Sequence, residues 1–336
     1  MEPLLQVKDL GVHFYTEEGT ARAVDGVDFE IEREQTLAVV GESGCGKSVT
    51  ALAIMGLIRD PPGRVVAGTI LYHRPEGIID ITKQNPRGAV MRSLRGNEIA
   101  MIFQEPMTSL NPVYTIGAQI VEAVVLHQRV RPREARGRAV EMLRAVGIPT
   151  PERRADSFPH ELSGGMRQRA MVAMALSCNP RLLIADEPTT ALDVTIQAQV
   201  LEVMASLRAR FHTSLLFITH DLGIVANIAD RVAVMYLGKI VETGSVRQIL
   251  REPLHPYTQG LMGSIPAIND RKGKRLVPID GIVPSAYKIP EGCAFAPRCP
   301  RVMERCRRDR PGLLETAGGR NVACWLHAAS TVQVRS

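Results

Sequence analysis

The sequence predicts an α/β protein built on a largely parallel sheet. Short, wholly apolar runs such as 182–185 and 215–219 alternate with segments whose apolar residues recur at helical spacing. Strands that are buried on both faces give uninterrupted apolar runs, and helices normally connect parallel strands. The third observation is a glycine-rich turn at 41–46, between an apolar run and a predicted helix.

The first hundred residues predict strands, a loop and one helix. Strand candidates at 4–7 and 12–15 form what we expect to be an antiparallel N-terminal β subdomain. Residues 36–40 predict a strand that leads through the glycine-rich turn into a helix at 48–58. The stretch 59–98 is rich in Pro and Gly and is predicted to consist mainly of turns.

The middle of the chain predicts a helical insert at about 105–175, because apolar residues recur at helical spacing there. The remaining predicted elements are, in chain order, strands at 99–103 and 182–185, a helix at 195–209, and strands at 215–219 and 232–236. Past Pro253 the periodicity fades, and Pro, Gly, Arg and Cys become frequent. We therefore expect two domains, 1–253 and 254–336.

Net positive charge is concentrated in the C-terminal part of the chain. From residue 251 onward there are 14 Lys/Arg and 7 Asp/Glu, whereas the rest of the chain carries 27 and 28. Such a basic segment is either simply solvated or faces an anionic partner, an anionic cofactor or a lipid surface. Nucleic acid is disfavoured, because no aromatic residues are interleaved with the charges. The first residues lack a basic region followed by a long apolar run, so we expect no export signal, and no apolar run is long enough to cross a bilayer.

The turn at 41–48, Gly-Glu-Ser-Gly-Cys-Gly-Lys-Ser, matches the phosphate-loop pattern G-x-x-x-x-G-K-[ST] in full. Glycines let backbone amides turn toward a phosphate, and the following helix start adds partial positive charge. Lys47 is expected to reach the β- and γ-phosphate oxygens, and Ser48 to bind Mg²⁺. The residues predicted to hold ATP here are Ser43, Gly44, Cys45, Gly46, Lys47, Ser48 and Val49. We expect Cys45 to fill space rather than to act in redox chemistry.

Two acids follow the apolar run at 182–185. A buried strand that ends in Asp186 and Glu187 delivers them to the ligand crevice of an α/β sheet. Asp186 is suited to hold Mg²⁺, and Glu187 is suited to polarise the attacking water. The alternative is a surface turn with no function, which the complete phosphate loop in the same chain disfavours.

The segment 162–169, Leu-Ser-Gly-Gly-Met-Arg-Gln-Arg, strongly resembles the signature sequence of ATP-binding-cassette (ABC) ATPases. A Ser-capped helix start with two glycines is in itself a second anion site. The resemblance implies that Ser163, Gly164 and Gly165 contact the γ-phosphate held by an opposite subunit. Met166 stands where the family usually has Gln, which leaves the phosphate contacts intact.

Other segments resemble further elements of the same family. Gln104 matches the Q-loop, which contacts Mg²⁺ and water, and Asp193, in Ala-Leu-Asp, matches the D-loop. His220 matches the switch histidine at the γ-phosphate. The resemblance implies catalytic roles for Glu187, His220 and Gln104, and nucleotide or Mg²⁺ contacts for Gln104, Asp186 and Asp193. Phe14 matches the aromatic residue that stacks on adenine, with Tyr15 as the alternative.

Residues 254–266 resemble the segment that follows the cassette in importers of dipeptides and oligopeptides, a subfamily that also includes nickel importers. The resemblance implies an ATPase at the cytoplasmic face of the membrane that energises peptide uptake. Its partners would be a second ATPase subunit, by resemblance a paralogue, two membrane-spanning permeases and an extracytoplasmic substrate-binding protein. The alternatives are a nickel importer, a soluble cassette ATPase with a non-transport target, a P-loop kinase, and a subunit that binds ATP without hydrolysing it.

Four cysteines cluster in the basic segment: Cys293, Cys299, Cys306 and Cys324. Four thiolates can hold one metal centre, although the spacing is not the tight pattern of zinc ribbons. The segment resembles that of peptide-importer ATPases whose cysteines bind a [4Fe–4S] cluster, and nearby arginines would balance the negative charge of such a cluster. Those arginines are Arg298, Arg301, Arg305, Arg307 and Arg308. Zinc and unligated thiols are the two alternatives.

Overall fold

The computed structural model describes residues 3–104, 109–190, 192–264 and 278–331. The strands in this part of the chain are β1 (Pro3–Thr16), β2 (Gly19–Glu32), β3 (Thr36–Val40), β4 (Gly63–Arg74), β5 (Gly77–Asp80), β6 (Ile99–Ile102), β7 (Leu182–Asp186), β8 (Ser214–Thr219), β9 (Arg231–Tyr236), β10 (Lys239–Ser245), β11 (Leu314–Thr316) and β12 (Arg320–Val322). The α-helices are α1 (Lys47–Ile54), α2 (Ala89–Leu94), α3 (Ile116–Gln128), α4 (Pro132–Ala145), α5 (Pro151–Arg154), α6 (Gly164–Leu176), α7 (Val194–Phe211), α8 (Leu222–Ile228), α9 (Val246–Arg251), α10 (Pro256–Gly263) and α11 (Glu304–Arg308).

The chain divides into two compact units, and each is assembled from segments that are separate in sequence. The loop unit comprises Leu5–Glu30, Leu37–Thr82 and Thr219–Ser336, and the helical unit comprises Met1–Leu4, Ile31–Thr36 and Lys83–Ile218. Both units are discontinuous in sequence, and each is described separately below.

The loop unit contains an antiparallel sheet in the order β2-β1-β4-β5. The two short strands predicted near the N-terminus are one long strand, β1, whose pairing with β4 shifts register around Gly11. Residues 59–98 are not mainly turns, since they include β4, β5 and α2. Their glycines suggested turns, but Gly68 sits inside β4 with φ +83° beside the carbonyl oxygens of Lys8 and Asp9, which is a bulge position.

The loop unit also contains the strands that position the phosphate loop. Strand β3 pairs in parallel with β9, and β10 pairs antiparallel with β9 and with β12. Every residue of β3 is buried. The C-terminal segment (residues 254–336) packs on this layer through a buried cluster of aromatic rings, Tyr236, Tyr257 and Phe295, with centroids 4.6 to 5.4 Å apart. These contacts place the C-terminal segment in the same compact unit as the phosphate loop.

The helical unit contains three parallel strands in the order β8-β7-β6, with Leu182 opposite both Ile99 and Ser214. Strands β7 and β8 are buried along their whole length, as their apolar sequences predict. The helices α3 to α6 form the predicted insert, with buried faces that include Ile120, Leu143 and Val172. Its first residues, 105–108, lie outside the described part of the chain. None of the described helices combines the length and apolar character of a membrane span.

Candidate functional site

The phosphate loop has the backbone that its glycines predict. Gly44 and Gly46 adopt φ values of +79° and +104°, which side chains disfavour. A Cβ atom on Gly46 would lie 2.2 Å from the carbonyl oxygen of Ala23, and one on Gly41 would lie 2.1 Å from that of Met235. The loop therefore has no room for other residues at these positions, and Gly46 directly precedes helix α1.

The lysine of this loop is buried and held by the loop itself. Lys47 is 5% exposed, and its Nζ atom donates to the carbonyl oxygens of Gly41 (2.9 Å) and Glu42 (3.1 Å). Ser48 follows it in the first turn of α1. Cys45 is buried beside Lys47, and burial raises the pKa of its thiol, which agrees with a space-filling role.

A second set of contacts on the loop comes from residues that no sequence motif had linked to it. Arg298 makes a two-pronged ion pair with the Glu42 carboxylate, at 2.7 and 3.1 Å. The backbone amide of Glu42 donates to the hydroxyl of Tyr257 at 2.9 Å. Arg298 is 256 residues away from Glu42 in sequence. No local pattern points to such a pair, and the only available signal was the complementary charge.

The two predicted acids lie at the end of β7 in the helical unit. Asp186 is the last residue of the strand and is 4% exposed. Glu187 is 9% exposed and has φ +45°, a conformation that is strained for a residue with a side chain and is typical of functional sites. Its Oε2 atom accepts hydrogen bonds from Gln104 Nε2 (3.3 Å) and Thr190 Oγ1 (3.1 Å). The structure thus brings Gln104 and Glu187 together, and Thr190 is an additional contact.

The signature segment starts helix α6. The Ser163 hydroxyl caps this helix by accepting from the Met166 amide at 3.3 Å. The two glycines differ in their surroundings: a Cβ atom on Gly165 would lie 2.6 Å from Ile196 Cγ2, whereas one on Gly164 would meet nothing within 4 Å. Packing within the described chain therefore explains Gly165 but not Gly164.

The remaining predicted site residues lie at strand and helix ends. Asp193 caps α7 by accepting from the Ile196 amide at 2.9 Å, whereas Ala191 lies outside the described residues. His220 directly follows β8 and is exposed. It belongs to the loop unit together with the phosphate loop, while Gln104, Asp186, Glu187, Ser163 and Asp193 belong to the helical unit.

The two candidate adenine contacts differ in exposure. Tyr15 is 53% exposed, whereas the Phe14 ring is half-buried. In the neighbouring strand, Gly63 lies opposite Phe14, and a Cβ atom on Gly63 would lie 2.7 Å from the Phe14 ring. Both rings belong to the loop unit.

The four cysteines of the C-terminal segment line one cavity, together with Arg301 and Trp325. Burial, together with the smaller effect of the other three cysteines, raises the pKa of the Cys324 thiol to about 11. Within the described ranges, no three His, Cys, Asp or Glu side chains are arranged to hold a metal ion. The cysteines are therefore gathered around one space, but their spacing is not that of ligands to a single ion.

The arginines predicted around these cysteines have varied partners. Arg301 lines the cavity, whereas Arg298 is paired with Glu42 in the phosphate loop. Arg305 lies over the Trp325 ring, 3.5 Å from its centroid, and Arg308 is paired with Glu304 at the surface. Of the predicted arginines, Arg301 therefore lines the cavity itself, and Arg305 contacts a ring, Trp325, that also lines it.

A buried acid organises the start of the C-terminal segment. Glu242 is fully buried and accepts from the amides of Leu254 (2.8 Å) and His255 (2.9 Å) and from the Arg320 guanidinium (3.0 Å). His255 is also buried, and its Nδ1 atom accepts from the Tyr257 amide. Burial lowers the pKa of His255 to about 3, so the ring is neutral in the folded chain.

Two family models match the chain. The model described as ABC transporter covers residues 24–190, and the model described as oligopeptide/dipeptide transporter, C-terminal region, covers residues 241–306. Among curated proteins, the oligopeptide transport ATP-binding protein AppD of Bacillus subtilis (strain 168) is 52% identical, over 97% of this chain and 98% of its own length. The dipeptide transport ATP-binding protein DppD of the same organism is 49% identical, over 97% and 95%.

Solved structures share the fold. The ATP-binding cassette MJ0796, in a dimeric structure with ADP and Pi, has a TM-score of 0.63 at 24% identity and covers 72% of this chain and 99% of its own. The cbiO1 subunit of Clostridium perfringens has a TM-score of 0.61 at 25% identity and covers 75% and 92%. These structures confirm the predicted P-loop fold with its mixed α/β sheets. The chain therefore belongs to the ATP-binding subunits of ABC transporters, and its C-terminal region is that of the oligopeptide and dipeptide branch of the family.

Proposed function

We propose that this chain binds and hydrolyses ATP to drive the import of dipeptides or oligopeptides across the cytoplasmic membrane. The observation that carries the proposal is the 52% identity to an oligopeptide transport ATP-binding protein over 97% of the chain. The identity spans the C-terminal region as well as the cassette, and this favours peptide import over nickel import and over a soluble ATPase. Residues 1–253 form the nucleotide-binding domain, with the helical insert at about 105–175, and residues 254–336 form the C-terminal domain.

ATP is the substrate of the phosphate loop. The amides of Ser43, Gly44, Cys45 and Gly46 surround the β-phosphate, and those of Lys47, Ser48 and Val49 at the start of α1 add their partial positive charge. The Lys47 ammonium exchanges its loop carbonyls for phosphate oxygens. Phe14 or Tyr15 stacks on adenine, and the exposure of the Tyr15 ring leaves it free for this contact.

Mg²⁺ suits the donor set of this chain. The Ser48 hydroxyl, the Asp186 carboxylate and the Gln104 amide oxygen are hard oxygen ligands, which this ion prefers. The amide nitrogen of Gln104 donates a hydrogen bond to Glu187, and the amide oxygen of Gln104 is therefore the atom that would coordinate a cation. When bound, Mg²⁺ neutralises phosphate charge.

Glu187 is the group that orients and polarises the attacking water. Hydrogen bonds from Gln104 and Thr190 fix its carboxylate, and its backbone has the strained φ of +45° that is typical of functional sites. His220 holds a γ-phosphate oxygen from the end of β8. Because fixed donors cost no reorganisation during the reaction, they lower the barrier more than water does.

A second cassette, by resemblance a paralogue, completes the site. Ser163, Gly164 and Gly165 bind the γ-phosphate held by the partner cassette, and Asp193 communicates across the same interface. The open space at Gly164 supports this assignment, because nothing within the described chain requires a glycine there. Closure of the two cassettes excludes water from the phosphates, and product charge repulsion reopens them.

The chain works from the cytoplasmic face as a peripheral subunit. Its partners are the second ATPase, two membrane-spanning permeases, and an extracytoplasmic protein that captures the peptide. Gln104 and the helical insert transmit closure to the permeases. We propose no nucleic-acid partner.

The cysteine cavity suits a [4Fe–4S] cluster. Its four thiols line one cavity, as the four iron ligands of such a cluster must. Cys293, Cys299, Cys306 and Cys324 would each hold one iron, and Arg301 would offset the negative charge. When bound, the cluster supplies cross-links to a segment with little apolar core.

The proposal is tested in proteoliposomes that contain this chain, its partner cassette and the permeases. We expect ATP hydrolysis and the uptake of labelled di- or oligopeptides to depend on the peptide-binding protein, and Glu187→Gln to abolish both while ATP binding is retained. Nickel uptake without peptide uptake would overturn the substrate assignment. Failure of the wild-type chain to bind ATP would overturn the function as a whole.

A further inference from the structure

The C-terminal segment contacts the phosphate loop at one residue, Glu42, through two side chains. Arg298 holds the Glu42 carboxylate with two hydrogen bonds of 2.7 and 3.1 Å, and Tyr257 accepts the hydrogen bond of its amide at 2.9 Å. The third polar group of Glu42, its carbonyl oxygen, accepts from Lys47. The backbone of the loop at this position is therefore held on one side by its own lysine and on the other by the C-terminal segment.

Arg298 is itself firmly held. Its side chain is 4% exposed, and it donates to the carbonyl oxygens of Asp280 (3.0 Å) and Ile279 (3.2 Å) as well as to Glu42. Its guanidinium carbon lies 5.9 Å from the centroid of the Tyr236 ring. These contacts fix the orientation of the guanidinium group so that two of its N–H groups form a bidentate pair with Glu42.

Tyr257 is equally fixed. The residue is fully buried, and its ring packs against those of Tyr236 and Phe295 with centroids 4.6 and 5.4 Å apart. Burial raises the pKa of its hydroxyl, so the group remains a neutral hydrogen-bonding partner. Both side chains that contact Glu42, Arg298 and Tyr257, are therefore held rigidly by their buried surroundings.

An acidic residue in a phosphate-binding loop is electrostatically unfavourable. The Glu42 carboxylate is 29% exposed and adds a negative charge close to where the loop receives a triphosphate. Pairing with Arg298 neutralises this charge and turns the carboxylate toward the C-terminal segment. The guanidinium thus serves both the shape of the loop and its charge.

We propose that Arg298 and Tyr257 are positioning residues for nucleotide binding, which act on the phosphate loop through Glu42. This inference deepens the proposed function and rests on it, since it assumes that the loop binds ATP. Neither residue contacts the nucleotide. They fix the loop in the conformation that receives phosphate, so that the C-terminal segment is part of the nucleotide site.

The test compares the binding of fluorescent mant-ATP to the full-length wild-type chain and its variants. We expect Arg298→Gln to raise the Kd at least about tenfold, because a charge-assisted, two-pronged contact is lost. Tyr257→Phe, which keeps the ring, should raise it severalfold. Arg308→Gln is the matched control: it removes one positive charge from the same segment, at a residue whose ion pair is exposed and remote from the loop in its contacts. It should bind like the wild type.

A double-mutant cycle separates positioning from a merely structural role. If Arg298 acts through Glu42, Arg298→Gln should weaken binding in the wild-type chain but should have little further effect in a Glu42→Gln chain, because the carboxylate partner is already absent. Where Arg298→Gln does not fold, Arg298→Lys takes its place, since it keeps the charge but loses the two-pronged geometry. Equal Kd values for Arg298→Gln and the wild type would overturn the inference. So would a Glu42→Gln background in which Arg298→Gln raises the Kd by the same factor as in the wild type. A wild-type chain that does not bind mant-ATP would overturn the proposed function as well.

Discussion

The two glycines of the signature segment should respond in opposite ways to the same substitution. A Cβ atom on Gly165 would lie 2.6 Å from Ile196 Cγ2, whereas one on Gly164 would meet nothing within 4 Å. Ile196 is branched at Cβ and lies in helix α7, so its methyl group has little freedom to move. Gly165→Ala should therefore lower the free energy of unfolding by about 1 to 3 kcal/mol, the usual cost of overpacking.

Gly164→Ala should leave the fold intact or stabilise it by up to about 1 kcal/mol, since alanine restricts the unfolded chain. The added methyl group would instead occupy the space that we assign to the partner's γ-phosphate. We expect ATP hydrolysis by the assembled transporter to fall at least tenfold, since the loss of a single transition-state donor costs about 100-fold or more. Binding of ATP to the chain's own phosphate loop should not change.

Thermal unfolding and ATPase rates of the two variants test this reasoning. Each 1 kcal/mol shifts the midpoint by about 2 to 4 °C in domains of this size. Gly137→Ala is the matched control, because Gly137 lies in helix α4 and a Cβ atom there also meets nothing within 4 Å. It should stabilise the chain without affecting hydrolysis. A fully active Gly164→Ala transporter, or a Gly165→Ala chain as stable as the wild type, would refute the argument.

Three further predictions concern catalysis, pH and the cysteine cavity. Glu187→Gln should keep ATP binding but reduce hydrolysis at least 100-fold and trap a closed cassette pair, detectable by size-exclusion chromatography with ATP; a normal rate would remove Glu187 from its role. The pKa of His255 is about 3 in the folded chain and about 6.5 in the unfolded chain. Between pH 6.5 and 5, therefore, only the unfolded chain takes up a proton at His255. The free energy of unfolding should fall by about 2 kcal/mol over this range. His255→Asn keeps an acceptor for the Tyr257 amide and should remove this part of the pH dependence in chemical denaturation; an unchanged slope would contradict it. Cys306→Ser should lower both the iron content and the thermal midpoint of anaerobically purified protein. Cys178→Ser, at a buried cysteine outside the C-terminal segment, should leave the iron content unchanged. Wild-type protein that contains no iron, or contains zinc instead, would reject the cluster.

Local sequence patterns were sufficient for the motifs but not for the antiparallel strands. The phosphate loop and the end of β7 are contiguous in sequence, so glycine spacing and an all-apolar run predicted them directly. Strand β2 was missed because its buried positions alternate with polar ones, and strand β4 was missed because Gly63 and Gly68 suggested turns. Buried residues follow a period of two in parts of both strands, at Val27, Phe29 and Ile31 in β2 and at Ile70 and Tyr72 in β4, which is typical of half-buried strands.

Long-range polar contacts were beyond sequence reasoning for a different reason. Arg298 was predicted to balance the charge of the cysteines because it directly precedes Cys299. In the structure its guanidinium points instead to Glu42, while two backbone carbonyl oxygens accept from two of its other three N–H groups. Which neighbour an arginine pairs with depends on the tertiary fold, because side chains close in sequence can face different surfaces.

The contacts on Glu42 also indicate when the C-terminal segment matters most. Lys47 donates to the carbonyl oxygens of Gly41 and Glu42 and helps to hold the loop in shape. As ATP binds, we propose that this ammonium turns to the phosphates, and Glu42 then depends on Arg298 and Tyr257. Arg298→Gln should therefore reduce the rise in thermal midpoint that ATP produces more than it lowers the midpoint of the nucleotide-free chain. A variant destabilised equally with and without ATP would show that Arg298 supports the fold alone and not the loaded loop.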